Sequence, residues 1–510
     1  MNISKKIVIL FFPSPHPENN YTNYPWSLLY LERMIRHLDI ELILIDERLD
    51  KDYEATLIKH KNNLLFAGVS AILGYQVVGG IKFSKAVKFL TNAPVIWGGW
   101  FPTIFSEMVL NEKSTDYICV GQGELPFKTF TERTIAGEDV TDIPGIGYKI
   151  NENIFINPNS DFTNPYEFPK IDKTLIDANR LIDLNGKVAH GLRSIDYIAT
   201  FGCPYKCSFC NLTEITDGKW FTKATKDIIE DLKYFNEKAG VTHVVFIDDN
   251  FLISKKHILA FCNELILSGI KLTWQAHAHV GYFLKHFSDN DIQLLYKSGC
   301  RRIVIGAESG DQEVLNLLNK KTTVKDNLAI VKKLKKHHIL TRLHTMICFP
   351  LNPDKDFFLT LNMIGKAILI DRNVEANIKF FKPVPRTELF KLCVEHGFIQ
   401  PNTIDELITS FSTYIAAPWY KRNYHKDLDY LVSFYTLFAK LNFFKTFPLI
   451  YRPLILILTA FFYPVIYLRF KLNLMKFPIE AIIFRKIFPP EKRSTYLDSI
   501  SVNKSKNVIL

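Results

Sequence analysis

The chain has 510 residues, 47% of them hydrophobic, with 63 Lys and Arg against 52 Asp and Glu and a net charge of +11. That length exceeds one ordinary core and predicts two or three folded domains, and the hydrophobic content excludes a disordered chain. The positive excess is small and no arginine-rich helix or basic array accompanies it, so nucleic acid is not an expected partner.

Five of the eight cysteines (Cys119, Cys262, Cys300, Cys348 and Cys393) are scattered through apolar sequence, where a free thiol is usually a small core residue. Met1-Asn-Ile-Ser-Lys-Lys6 shows no signal peptide, and the cysteine usage fits a reducing, cytoplasmic compartment.

In chain order, residues 1–140 alternate short apolar runs (6–12, 41–45, 64–69, 94–97 and 117–120) with helical patterns near 26–38 and 75–90. Continuous apolar strands of this kind predict an open parallel α/β sheet covered on both faces. Three of its strands run into small residues: Gly68-Val69-Ser70-Ala71, Gly98-Gly99-Trp100, and Gly121-Gln122-Gly123-Glu124. Ligands of open α/β sheets bind beyond the carboxyl ends of the strands, and glycine there lets a large group approach the backbone. Three such ends together point to a bound cofactor. Pro13-Ser-Pro-His-Pro17 follows the first strand in place of G-x-G-x-x-G, so a dinucleotide fingerprint is absent.

Residues 141–190 are polar and predict a linker with at most a small hairpin. Residues 191–390 return to a strand–helix rhythm of about six βα units, which predicts a partial or full barrel. The carboxyl ends of its strands carry Cys203–Cys210, Asp248-Asp249-Asn250, His277 and His279, Glu308-Ser309-Gly310, and Lys382–Pro385. Asp248 and Asp249 have a second reading, as caps of the helix that follows.

Cys203, Cys207 and Cys210 fall within Phe201-Gly-Cys-Pro-Tyr-Lys-Cys-Ser-Phe-Cys210. A zinc site wants a fourth ligand and usually a second C-x-x-C pair, which the chain lacks, leaving His277, His279 or Cys300 as candidates. A redox dithiol of Cys207 and Cys210 gives Cys203 no role. Iron–sulfur clusters are held by thiolates, and three of them leave one iron open to a substrate or cofactor.

The C-x3-C-x2-C spacing, with Phe209 before the last cysteine, resembles the cluster motif of radical S-adenosylmethionine (SAM) enzymes. The wider pattern resembles their cobalamin-binding branch, which includes the magnesium-protoporphyrin ester cyclase-like enzymes and the B12-dependent (class B) radical methyltransferases. Phe246–Phe251, Gly306–Asp311 and Leu315–Lys320 are similar to its downstream motifs, and Gly98–Thr103 and Gly121–Glu124 to its cobalamin-domain motifs. The resemblance covers residues 5–400.

It implies a flavodoxin-like cobalamin-binding domain, a partial (β/α)6 radical SAM barrel and a helical region over 391–510. It further implies that Cys203, Cys207 and Cys210 hold a [4Fe-4S] cluster whose fourth iron is chelated by SAM. Reductive cleavage then gives a 5′-deoxyadenosyl radical that takes hydrogen from substrate, with methylcobalamin delivering a methyl group. Phe209, Asp248, Asn250, Glu308 and Ser309 would lie on the SAM side. Ser70, Gly98, Gly99, Trp100, Gly121, Gly123 and Glu124 would lie on the cobalamin side, with Trp100 and Phe101 either shielding a corrin face or marking a domain that has lost the ligand. The D-x-H-x-x-G pattern that supplies a lower axial histidine is absent.

The expected activity is methylation of an unactivated carbon in a hydrophobic, lipid-like or natural-product substrate, with an external one-electron donor such as flavodoxin or ferredoxin. Cyclisation or rearrangement with the same cofactors is the alternative. A non-catalytic iron–sulfur or zinc scaffold is the reading from another class.

Past residue 400 the motifs stop. Residues 453–468 are 16 uncharged positions between Arg452 and Arg469. As a helix they reach only about 24 Å against a hydrocarbon core of about 30 Å, and Pro464 interrupts them, so a single span is not expected. Lys440, Lys445, Arg452, Arg469, Lys471 and Lys476 alternate with Phe, Leu and Tyr. That mixture predicts either peripheral contact of 440–480 with the inner membrane face or a helical cap over the barrel mouth.

Overall fold

The computed structural model describes residues 5–15, 24–159, 161–184, 192–412, 417–420 and 452–472, together with 474, 479, 480 and 482. The first sheet is seven-stranded, in the order β2-β1-β3-β4-β5-β6-β7. Strands β1 (Ile7–Phe12), β2 (Glu41–Asp46), β3 (Leu64–Ser70), β4 (Val95–Gly98) and β5 (Tyr117–Cys119) run parallel. The hairpin of β6 (Ile146–Ile150) and β7 (Asn153–Ile156) adds antiparallel to β5.

β1 shows why these runs are apolar throughout. Val8 and Leu10 enter one core with Leu28, Phe127 and Phe130, while Ile9 and Phe11 enter the opposite core with Phe83 and Val87. Helices Trp26–Ile35 and Glu124–Ala136 supply the first layer and Tyr75–Thr91 the second. A strand covered on both faces has no polar side to show. The strand order reverses between β1 and β3, which opens a crevice at their carboxyl ends.

The second sheet is six-stranded and all parallel, in the order β15-β14-β13-β12-β11-β8. Its strands are β8 (Ser194–Tyr197), β11 (His243–Phe246), β12 (Thr273–Ala278), β13 (Cys300–Glu308), β14 (Leu340–Ile347) and β15 (Glu375–Phe380). β8 and β15 are its two edges, so the curled sheet is an open, partial barrel.

Its helices lie outside. Thr225–Ala239 buries Ile228, Leu232, Phe235 and Ala239, one stripe at helical spacing. Capping boxes at Ser288/Asp291 and Thr323/Asp326 start two of the others. β14 alternates: Thr341, Leu343, Thr345 and Ile347 are buried, while Arg342, His344 and Met346 are half-buried on the opposite, lumen face. Between β8 and β11 a two-stranded antiparallel ribbon of β9 (Thr200–Gly202) and β10 (Trp220–Thr222) carries the cysteine loop.

Helix Trp26–Ile35 joins the two sheets. Trp26 Nε1 donates to the Asp196 carbonyl at 3.0 Å, its ring meets Tyr197 edge-on, and Tyr24 Oη donates to the Lys173 carbonyl at 2.9 Å. The C-terminal helix Arg452–Leu472 packs Ile466 and Phe470 against the outer barrel helix Pro353–Ile370. The expected cap over the barrel mouth is therefore not what this helix forms; the remainder of 440–480 lies largely outside the described residues. Among the described residues no helix is long and apolar enough to cross a membrane.

Candidate functional site at the junction of the two sheets

The cysteine loop leaves β9 at Gly202, whose φ is +86°. A Cβ there would stand 2.1 Å from the Lys219 carbonyl oxygen across the ribbon, so only glycine lets the chain turn into Cys203. The Cys210 N–H donates to the Cys207 carbonyl at 3.0 Å, and Ser208 Oγ donates to the Leu317 carbonyl at 2.8 Å. Asn319 Nδ2 donates to the Lys206 carbonyl at 2.7 Å, and Tyr205 stacks on His279 with ring centroids 3.9 Å apart. The segment after β13 thus holds the loop from one side.

All three thiols are free and half-buried. Burial pushes each above its ordinary value, Cys210 to about 11. Asn250 Nδ2 approaches Cys203 Sγ at 3.9 Å. Among the described residues, no three His, Cys, Asp or Glu side chains converge as the ligands of a single ion would. A [4Fe-4S] cluster makes a different demand, because each thiolate binds a different iron. Three half-buried thiols on one anchored loop fit that donor set, and bound iron would reverse the upward shifts by deprotonating them.

The strand-end acids divide. Asp248 Oδ1 accepts the N–H of Ala199 at 2.9 Å and also that of Thr200, the two residues that lead into the loop. Its Oδ2 is buried without a partner, and burial raises this carboxyl to about 7. Asp249 is raised to about 6 by burial, against a hydrogen bond from the Gly202 backbone. Neither caps the next helix, whose start at Ser254 is capped by that residue's own side chain. Glu308 ends β13 in the left-handed region (φ 54°) and pairs with Lys320 Nζ at 2.7 Å. Ser309 is turned outward: its hydroxyl donates to Asp356 Oδ1 at 2.6 Å on helix Pro353–Ile370. Phe209 packs beside Val314, Leu318, Phe349 and Leu389, and Lys320 Nζ lies 6.0 Å from its ring centroid.

A cavity of about 470 Å³ lies where the first sheet's carboxyl ends meet the cysteine ribbon. Ser70, Gly98, Gly99, Trp100, Gly121, Gly123 and Glu124 all line it, and so do Asp248, Asp249, Thr200, Phe201 and Gly202. Asn250, Glu308, Ser309, Phe209 and the three cysteines are not among its walls. Gly99 has φ +95° and a Cβ there would lie 2.7 Å from the Ala71 carbonyl oxygen. Gly98 differs: its Cβ would meet nothing nearer than Cys119 Cβ at 4.0 Å, so packing within the protein does not require glycine there. Glycine at Gly98 leaves room on the cavity floor, which fits a bulky group lying against the strand ends. Glu124 is held by Arg33 at 3.2 Å, and burial raises its carboxyl despite that partner. Trp100 reaches the cavity, but Phe101 is fully buried in the sheet's own core and shields no ligand face.

Sequence reasoning placed His277 at a strand end but missed its lumen neighbours His344, Arg302, Arg342 and Glu375. His277 and His344 stand 5.8 Å apart on β12 and β14, and each keeps one buried ring nitrogen without a partner. Burial, reinforced by neighbouring cations, lowers both to about 4, so both are neutral near pH 7. Beneath them Glu375 bridges Arg302 at 2.9 Å and Arg342 at 2.6 Å. Period-two alternation along β12 and β14 was the signal that places these residues inside.

An open six-stranded parallel barrel with a C-x3-C-x2-C loop beyond its first strand now stands next to a glycine-floored cavity. Residues 197–364 match the Radical SAM superfamily. An uncharacterized methyltransferase of Pyrococcus horikoshii is 23% identical over 382 residues, 74% of this chain and 80% of the relative. The anaerobic magnesium-protoporphyrin IX monomethyl ester cyclase of Synechocystis is 22% identical over 277 residues, 54% of each chain. The radical SAM methyltransferase TsrM from Kitasatospora setae, solved with cobalamin and a [4Fe-4S] cluster bound, superposes with a TM-score of 0.62 at 14% identity. That superposition covers 78% of this chain and 76% of TsrM. The likeness shows that the open six-stranded barrel and the preceding α/β sheet share their fold with that structure.

Proposed function

We propose that the protein is a cobalamin-dependent radical SAM enzyme that methylates an unactivated carbon of a hydrophobic or natural-product substrate. The observation that carries this reading is the single cavity shared by seven strand-end residues of the first sheet and by the Asp248–Asp249 rim of the cysteine ribbon. A cavity floored by the first sheet and bounded by the ribbon that carries the cysteine loop suits a reaction in which a cobalamin and a cluster-bound SAM would approach one substrate. The names of the Pyrococcus horikoshii relative and of TsrM support methyl transfer over cyclisation, and the magnesium-protoporphyrin cyclase branch rests on distant matches, 22–26% identical over 54% or less of this chain.

Cys203, Cys207 and Cys210 would hold a [4Fe-4S] cluster, which when bound would supply the electron for SAM cleavage, and a bound cobalamin would supply the transferable methyl group. The remaining work belongs to side chains of this chain. Asp248 fixes the start of the cysteine loop through Ala199 and Thr200 and keeps a second, buried oxygen without a partner. Leu10, Leu28, Ile96 and Phe127 make the cavity apolar and exclude water, protecting a reactive carbon from side reactions. Glu308 and Lys320 place a neutralised ion pair behind the cysteines.

The test is anaerobic turnover of the reconstituted protein with methyl-labelled SAM and a reductant. The expected result is 5′-deoxyadenosine together with label in an apolar product, and neither from Cys207→Ala. 5′-Deoxyadenosine with unlabelled product sinks methylation in favour of rearrangement. No SAM cleavage at all sinks the enzyme reading.

A further inference from the structure

The chain's charge is not spread evenly. Residues 1–412 hold 48 Lys and Arg against 47 Asp and Glu, whereas residues 413–510 hold 15 against 5. The tail therefore carries +10 of the +11, and the two sheets with their site are close to neutral. Such asymmetry is a mark of a segment that meets an acidic partner.

The helix Arg452–Leu472 within this tail has a fixed orientation. Ile466 and Phe470 are buried against helix Pro353–Ile370, and Gly365 makes the room: a Cβ there would lie 2.0 Å from Phe470 Cδ1. Arg372 Nη2 donates to Tyr463 Oη at 2.8 Å on the same side. The opposite face then shows Ile457, Phe461, Val465, Leu468 and Leu472, between 40% and 71% exposed, spaced four, four, three and four residues apart. That is one apolar stripe along the helix, with Lys471 near its end. Exposed apolar side chains in a continuous row mark an interaction surface.

The charge decides between occupants. A second copy seated on this stripe would bring two +10 tails together, which repels, whereas an anionic lipid surface attracts the same tail. Pro464 lies inside the helix, and among the described residues no helix is long and apolar enough to cross a membrane, so on a bilayer this helix would lie along the surface. We infer that the stripe Ile457–Phe461–Val465–Leu468–Leu472 docks on the surface of an anionic lipid bilayer. This inference does not depend on the proposed methyl transfer.

The experiment is co-sedimentation of the full chain with phosphatidylcholine vesicles, with and without about one-third phosphatidylglycerol. Wild type is expected to sediment with the anionic vesicles about tenfold more than with the zwitterionic ones, and less as salt rises. Phe461→Asp with Leu468→Asp, both on the exposed face, is expected to lower binding about tenfold while leaving the melting temperature and SAM cleavage unchanged. Wild type left in solution with both vesicles overturns the inference, as does a double variant that still sediments. Light scattering that shows a dimer, lost in the double variant, with no vesicle binding by wild type, overturns it in favour of self-association.

Discussion

Lys320 Nζ lies 2.7 Å from Glu308 Oε1, with side chains only 11% and 10% exposed, and both atoms crowd the position where a Gly306 Cβ would stand. Burial opposes the Lys320 charge, but Glu308 and the nearby Cys207 outweigh it and hold the ammonium above its ordinary range. Removing one partner leaves the other charged and buried. Lys320→Met or Glu308→Leu alone is expected to cost about 3–5 kcal/mol, with much of the loss recovered in the double variant. Urea unfolding of the three variants checks this; additive losses would show that the two residues do not act as a pair.

Asp248 ties stability to pH. Its folded-state value of about 7 lies above the ordinary carboxyl value of 3.8, because burial disfavours the charged form. The native state therefore holds a proton that the unfolded chain has lost between about pH 4 and pH 7. Stability is full below that window and falls as pH rises through it, by at most about 4 kcal/mol. Asp248→Asn keeps an acceptor for Ala199 and Thr200 and places the amide where Oδ2 has no partner. For the cofactor-free protein, melts from pH 5 to pH 8 are expected to slope less in the variant than in wild type. Parallel slopes would remove Asp248 as the source.

Much of this was legible beforehand, and the reason is local. β1 reads as a run of six apolar residues because it is covered on both sides, and the cysteine spacing needs only one loop to make sense. Strand-end glycines could be read because a parallel sheet collects its carboxyl ends at one edge. What escaped depended on partners distant in sequence. Ser309 looks like a rim residue until Asp356, 47 residues on, takes its hydroxyl. Phe101 stands two residues past Gly99, where a ligand-facing ring is expected, yet its own sheet claims it as core. The two readings of Asp248 and Asp249 needed the positions of the Ala199 and Thr200 amides, which bond Asp248, and of the Gly202 backbone, which bonds Asp249, to separate them.

Two glycines at the site separate folding from binding. Gly202→Ala meets the Lys219 carbonyl at 2.1 Å at a φ of +86°, so the cysteine loop must shift. Its iron content after reconstitution is expected to fall by more than half with the barrel still folded. Gly98→Val has open space for its first carbon and is expected to melt like wild type, yet it fills the floor of the cavity. Cobalamin retention is expected to drop about tenfold, equivalent to about 1.4 kcal/mol. Absorbance titration with hydroxocobalamin measures it, and wild-type retention would place the corrin elsewhere.

Gly365 makes the last prediction. Glycine inside a helix costs about 1 kcal/mol relative to alanine, so Gly365→Ala should help helix Pro353–Ile370 considered alone. Its Cβ, however, would stand 2.0 Å from Phe470 Cδ1 and 2.2 Å from Cε1, inside a ring that is 2% exposed. The ring must leave, and with it the anchor of helix Arg452–Leu472. Gly365→Ala is expected to expose 452–472 to limited proteolysis while the barrel stays intact. Phe470→Ala is expected to do the same, by losing a buried aromatic side chain worth about 3–5 kcal/mol. Pairing Gly365→Ala with Phe470→Leu, a smaller and more flexible side chain, should restore part of the protection. If Gly365→Ala alone leaves the cleavage pattern unchanged, the helix is not held by this contact.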